Sequence, residues 1–156
     1  MSHVLVLREG IGLLATDLAS AKVGTATPLI AFRRFIFAYW NFAWRHPELY
    51  RVMYGLDGIP FGVMETWKEG THIGELAAEV VEQLLVDQGS PIEQIGTKVA
   101  LFWSTMHGLI SLIMAGRIAG ELDELTPLVE QYIQNTLAAW HIPANAQANK
   151  PGVKTV

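Results

Sequence analysis

The sequence predicts an all-α domain, an antiparallel bundle of about six helices, and three observations predict it. Apolar residues recur every three or four positions in each long segment, sustained alternation with strand-type turns is missing, and glycine, proline and capping residues fall between the periodic segments. With 156 residues, 51% of them apolar and 17% charged, the chain reads as one domain able to bury roughly two-thirds of its unfolded surface.

The first helix is expected over about 4–21, where Leu7, Ile11, Leu14, Leu18 and Ala21 follow a 4-3-4-3 spacing along one face. Gly24 suits its end, Thr27 an N-cap and Pro28 the first turn of the next helix. That second helix, about 28–46, carries Leu29, Phe32, Ile36, Tyr39, Trp40 and Ala43 on one arc. Phe35, Phe37, Phe42 and Trp44 widen the arc beyond the needs of a surface helix, so something besides one core is expected to cover them. His46-Pro47 breaks the chain and opens a short helix through Tyr54, followed by a turn-rich loop over 55–62. Residues 63–87 return to helix, with Leu76, Val80 and Leu84 inward and a bend expected at Gly70 and Gly74.

Gln88-Gly89-Ser90-Pro91 marks a boundary, with Ser90 as N-cap, Pro91 in the first position and Glu93 completing a capping box. Ile92, Ile95, Val99, Phe102, Met106, Leu109 and Ile113 then form a seam of alternating threes and fours, which Gly120 is expected to end near 119. A second face of small residues, Thr97, Ser104, Gly108, Ser111 and Ala115, permits close helix approach. The last helix, about 123–141, places Leu122, Leu125, Val129, Tyr132, Thr136 and Trp140 on a seam of its own, and a polar, mobile tail is expected over 144–156.

Composition narrows the function. The chain has no cysteine, which excludes thiolate nucleophiles, Cys-type zinc sites and iron–sulfur clusters. Eleven Lys/Arg against fifteen Asp/Glu give a net charge of −4 with the basic residues scattered, so this chain alone should not hold nucleic acid. The amino terminus lacks the order of a signal peptide. Between Lys98 and Arg117 lie eighteen uncharged residues, close to the lower limit for a membrane span. Ser104, Thr105, His107, Gly108 and Ser111 within the run favour a buried helix of a soluble protein, and no membrane partner is expected.

Candidate chemistry is sparse. Glu69-x-x-His72 has the spacing of helical di-iron sites, but those need the motif twice with two further carboxylates, so no metal and no cofactor are expected. The aromatic and methionine inventory says more. Tyr39, Trp40, Trp44, Met53, Tyr54, Phe61, Met64, Trp67, Trp103 and Met106 fall on several helices around one loop, the composition of an apolar pocket oriented by few polar groups. His107, inside the uncharged run, is either a satisfied core histidine or a polar group lining that pocket.

Trp103-x-x-x-His107-Gly108, together with the stretch Ala43-Trp44-Arg45-His46-Pro47-Glu48-Leu49-Tyr50-Arg51-Val52-Met53-Tyr54, resembles the carboxy-terminal regulatory domain of TetR-type transcriptional repressors, in the subgroup named for its WHG motif. The resemblance covers about 4–141 and implies a cytoplasmic effector-binding and dimerisation domain over 4–143. It implies a homodimer through the last two long helices, with Thr97, Ser104, Gly108, Ser111, Ala115, Leu125, Val129, Tyr132, Thr136 and Trp140 at the interface. A small-molecule effector would bind among the second helix, the 55–64 loop, the 63–88 helix and the Trp103–His107 turn, with the first helix as output lever. Family members carry a helix-turn-helix before this region, and the chain begins where the connecting helix would, so the DNA-reading head is expected to be missing. Two other readings remain open: a small helical enzyme with His107 as general base, and a membrane-associated helical protein.

Overall fold

A computed structural model describes residues 3–56 and 67–146. Six helices follow one another: α1 (His3–Ala21), α2 (Pro28–Arg45), α3 (Pro47–Met53), α4 (Trp67–Asp87), α5 (Ile95–Met114) and α6 (Leu122–Ala139). The described residues contain no strand. The expected all-α class is what the chain adopts.

The central element is α2, which packs against each of the other five helices. It begins as anticipated: Thr27 is extended, its side chain accepts from the Ile30 N–H at 3.2 Å, and Pro28 occupies the first turn. It ends at His46, whose φ of −130° and ψ of 58° leave the helical region immediately before Pro47. Central position explains the wide apolar arc. Phe32, Phe35, Ile36, Tyr39, Trp40 and Phe42 point to several sides of α2 and are all buried inside the one chain, so this surplus is covered by its own neighbours.

The helix ends beyond α4 differ from expectation. At the close of α4 the Gly89 N–H bonds to the Val86 carbonyl and the Ser90 N–H to the Leu85 carbonyl, with Gly89 at a φ of 65°. That paired closure is a Schellman motif, and it uses Ser90 to finish one helix instead of starting the next. The Ser90–Glu93 capping box therefore does not form, and α5 starts at Ile95 behind Gln94 in the left-handed region. Ile92, expected on the seam, is exposed. The same motif recurs at Gly116, whose N–H bonds to Ile113 while Arg117 bonds to Leu112, so α5 stops there and not at Gly120. Helix α4 runs unbroken through Gly70 and Gly74. At α6, Glu121 and Glu124 form a reciprocal capping box, and Ile142, buried, closes the other end through its N–H on Leu137.

Helix α5 is not buried all round. Phe102, Met106 and Ile110 form its buried stripe, while Leu101, Trp103 and Leu112 are exposed. It is the one described helix long and apolar enough to cross a membrane by length and composition.

Candidate ligand site at the tyrosine cluster

Five side chains from three helices converge on one line of hydrogen bonds. Helix α2 supplies Tyr39, α3 supplies Tyr50 and, at its C-cap, Tyr54, and α5 supplies Trp103 and His107. Both pairs are four residues apart, which sets each pair on one helix face. The two sequence signatures thus form opposite sides of one contact: the Tyr54 ring lies 4.5 Å from His107 and 6.3 Å from Trp103.

The polar contacts run in order. Trp103 Nε1 donates to the Tyr54 hydroxyl at 3.2 Å. The Tyr54 and Tyr39 hydroxyls are 2.7 Å apart, Tyr39 and Tyr50 a longer 3.4 Å, and the Tyr50 hydroxyl meets His107 Nδ1 at 2.8 Å. Apolar walls surround them, with Phe102 packed edge-on to Tyr39 at 5.7 Å and tilted against Phe35 at 5.8 Å. Tyr39 and Tyr50 are fully buried.

Burial sets the charge state of the cluster. Desolvation holds the Tyr39, Tyr50 and Tyr54 hydroxyls above the ordinary tyrosine range, strongly for Tyr39, where the neighbouring phenols add to the effect. The bonds from Tyr39 and Trp103 oppose that rise at Tyr54. Desolvation pushes the His107 imidazole below its usual range, toward the neutral form. The five groups are therefore uncharged at neutral pH and exchange hydrogen bonds without ion pairs.

Of the residues expected to bind ligand, the structure brings together Tyr39, Tyr54, Trp103 and His107. Others go elsewhere. Met106 and Trp40 are buried core residues, Trp40 stacking edge-on to Trp44 at 5.2 Å. The Trp44 indole N–H is itself buried without a partner among the described residues. Met53 turns to α1, where a Cβ on Gly10 would come within 2.8 Å of its sulfur. Phe61, Met64 and the loop around them lie outside the described residues, as does the side chain of Trp67. Tyr50, at the centre of the cluster, was not among the expected site residues. Its signal was available in the spacing of four to Tyr54, but in a short helix that spacing marks core contact equally well.

The expected interface residues also divide. On α5, Thr97, Ser104 and Ala115 are exposed, and Gly108 and Ser111 half-buried. On α6, Leu125 and Val129 are buried in the chain's own core. Tyr132, Thr136 and Trp140 are half-buried on the same side, Trp140 against Phe32 at 5.5 Å with Lys98 over its ring. A three-four repeat specifies a stripe that must be hidden, and here the stripe is hidden intramolecularly. The α6 surface left outside includes Leu122 and Leu128. The expected 144–156 tail lies beyond the described residues from 147 onward.

Two open surface depressions lie away from the tyrosines. One runs between Pro28 and the Glu79–Asp87 face of α4, the other between α1 and α2 around Asp17, Arg34 and Arg45.

Five helices around a central α2, with a neutral polar cluster at the α2–α3–α5 junction, define an all-helical domain. A family model described as the Tetracyclin repressor-like C-terminal domain matches residues 32–136, about two-thirds of the chain. The chain belongs to that family. A solved structure of a protein of unknown function from Rhodococcus sp. RHA1 is similar in fold, with a TM-score of 0.73 at 19% identity over 88% of this chain and 71% of that one. Comparison with curated proteins returns no match.

Proposed function

We propose that the domain senses a small, largely apolar effector and forms a homodimer, as the regulatory part of a TetR-type transcriptional regulator of the WHG subgroup. The observation that carries this reading is the neutral chain from Trp103 to His107 set in an apolar wall. A few convergent polar groups in greasy surroundings are what small-molecule recognition uses. The partner of His107 Nδ1 is a phenol; a general base would be oriented by a carboxylate, so the geometry supports binding over acid–base catalysis. No metal or cofactor enters the proposal.

Dimerisation is supported by the apolar side chains that α5 and α6 leave outside: Leu101 is 62% exposed, Trp103 and Leu112 46% each, and Leu122 and Leu128 of the last helix 46% and 42%. Apolar exposure of this kind marks an interaction surface. DNA would be read by a helix-turn-helix outside this chain, in the cytoplasm, with α1 as the lever. Helix α3 gives a route for that coupling, since it carries Tyr50 and Tyr54 at one side and rests Leu49 and Met53 on Gly10 of α1 at the other. Effector binding moves α1 only to the extent that one lever position binds it better.

Native mass spectrometry of the purified chain tests both halves. The expected result is a species at twice 17.2 kDa, carrying a small molecule that Trp103→Ala loses. A 17.2 kDa species alone at micromolar concentration refutes the dimer, and a ligand retained equally by Trp103→Ala and Tyr39→Phe refutes the site.

A further inference from the structure

Helix α2 brings a local positive face to a chain whose net charge is −4. Its eighteen residues hold three arginines and no acid. Arg33 pairs with Glu130 of α6, while Arg34 and Arg45 line an open depression of about 390 Å³ between α1 and α2. Positions 34, 38, 41 and 45 step by four, three and four, which sets Ala38 and Asn41 on one stripe between the two guanidinium groups. Apolar lining comes from Phe37 and Ala38 of α2 and Ala21 of α1, all half-buried. One acid enters the depression, Asp17 of α1, and it meets Arg45 through a contact of 3.2 Å with the Arg45 side chain 61% exposed. A guanidinium carries five N–H donors, so this contact leaves Arg45 with donors to spare. Two arginines against one aspartate leave the groove one positive charge in excess. The depression beside Pro28 has the opposite chemistry, with Glu79, Glu82 and Asp87 along its wall. A charged guest would sort between the two by sign.

We propose that the α1–α2 groove binds a small amphiphilic monoanion, an aryl or alkyl carboxylate, with its carboxylate on Arg34 and Arg45 and its apolar body on Phe37. One negative charge matches the excess, whereas a dianion such as a phosphate monoester overshoots it. Arginine suits a carboxylate because its planar donors pair with both oxygens. The volume of the groove lies in the lower part of the range of small-molecule sites, roughly 300–1,000 Å³. The groove shares no residue with the tyrosine cluster, so the proposal stands apart from the effector reading. Its walls come from two helices, and a guest that bridges them holds α1 against α2.

The experiment titrates the full chain, labelled with nitrogen-15, with 3-phenylpropanoate, 3-phenylpropanol, 3-phenylpropylammonium, acetate and inorganic phosphate. Binding is followed by backbone amide shifts and by the arginine Nε–H signals. The 3-phenylpropanoate is expected to bind with a dissociation constant of about 1 mM, moving the amides of Ala21, Phe37 and Asn41 and the Nε–H signals of Arg34 and Arg45. It should bind about tenfold more tightly than the alcohol, the equivalent of one hydrogen bond to a charged group, and more tightly than the other three probes. Raising the salt from about 0.05 to 0.5 M should weaken it through screening. Arg34→Gln should lower the affinity about fivefold, with Arg34→Lys recovering part of the loss. Asp17→Asn should raise it about threefold by removing the competing carboxylate. These opposite signs come from shifts of the folded protein, so a loss of stability does not mimic them. Equal binding of acid and alcohol, preference for acetate, phosphate or the ammonium, or an affinity unchanged in both Arg34→Gln and Asp17→Asn overturns the proposal. Shifts that map to Tyr54 and Trp103 instead of the groove overturn it while leaving the effector reading standing.

Discussion

The two faces of α5 are built from similar residues and meet different fates. Inward lie Phe102, Met106 and Ile110, all buried, with His107 at their flank bonded to Tyr50. Outward lie Leu101, Leu112 and the small residues Thr97, Ser104 and Ala115, all exposed in the single chain. By composition both faces ask to be covered. The contrast teaches that hydropathy states how much surface must leave water, while packing decides which part of it the chain covers for itself.

The inward face carries the largest expected effect. Phe102→Ala removes an aromatic ring that packs on both Phe35 and Tyr39, and the expected cost is about 3–5 kcal/mol of folding stability, read from urea unfolding. The outward counterpart, Leu101→Glu with Leu112→Glu, should leave the helical spectrum intact and weaken self-association by about 100-fold, read by analytical ultracentrifugation. If those two changes unfold the chain instead, the outward face belongs to the core after all.

Between these lies the polar flank, which titration probes from both sides. His107 has a folded pKa below its unfolded value, so the stability linked to its neutral form is complete above about pH 6.5 and is lost as the pH falls from there toward the folded value. The buried tyrosines have folded pKa values above the unfolded one. Their contribution is complete below about pH 10 and is lost as the pH rises beyond it. Denaturation midpoints measured from pH 5 to 11 should show both declines, with His107→Gln flattening the acid one and Tyr39→Phe reducing the alkaline one. The smallest expected effect falls on the stripe of small residues. A Cβ at Gly108 meets nothing within 4 Å, so Gly108→Ala should stabilise the lone chain by about 1 kcal/mol through helix propensity. Where a partner helix approaches this stripe closely, the same methyl should weaken the dimer.

Local signals were legible wherever one residue serves one element. Thr27-Pro28 starts α2 and His46-Pro47 divides α2 from α3 because capping and proline geometry act within a few residues. The α5 boundaries were misread because competing local solutions existed. Ser90 can cap a following helix or close a preceding one, and the left-handed turn at Gly89 settles the matter by drawing the Ser90 N–H back to Leu85. Gly116 and Gly120 both offered an end to α5, and the first one met took it. Within the site, Tyr39, Tyr54, Trp103 and His107 were named from residue type. Trp40, Met53 and Met106 were named on the same evidence, yet their helix faces turn them toward the core or α1.

By itself the sequence determined that this protein is helical, that its central helix is apolar on more than one side, and that a histidine and several aromatics share its greasy segments, because periodicity and capping are properties of neighbours along the chain. Tertiary structure decided that Leu125 and Val129 are hidden by the chain itself. It also decided that Tyr50 joins His107 across 57 positions of sequence. Those outcomes depend on how helices rotate about their axes when they pack, and a rotation is fixed only by the partner on the other side of the contact.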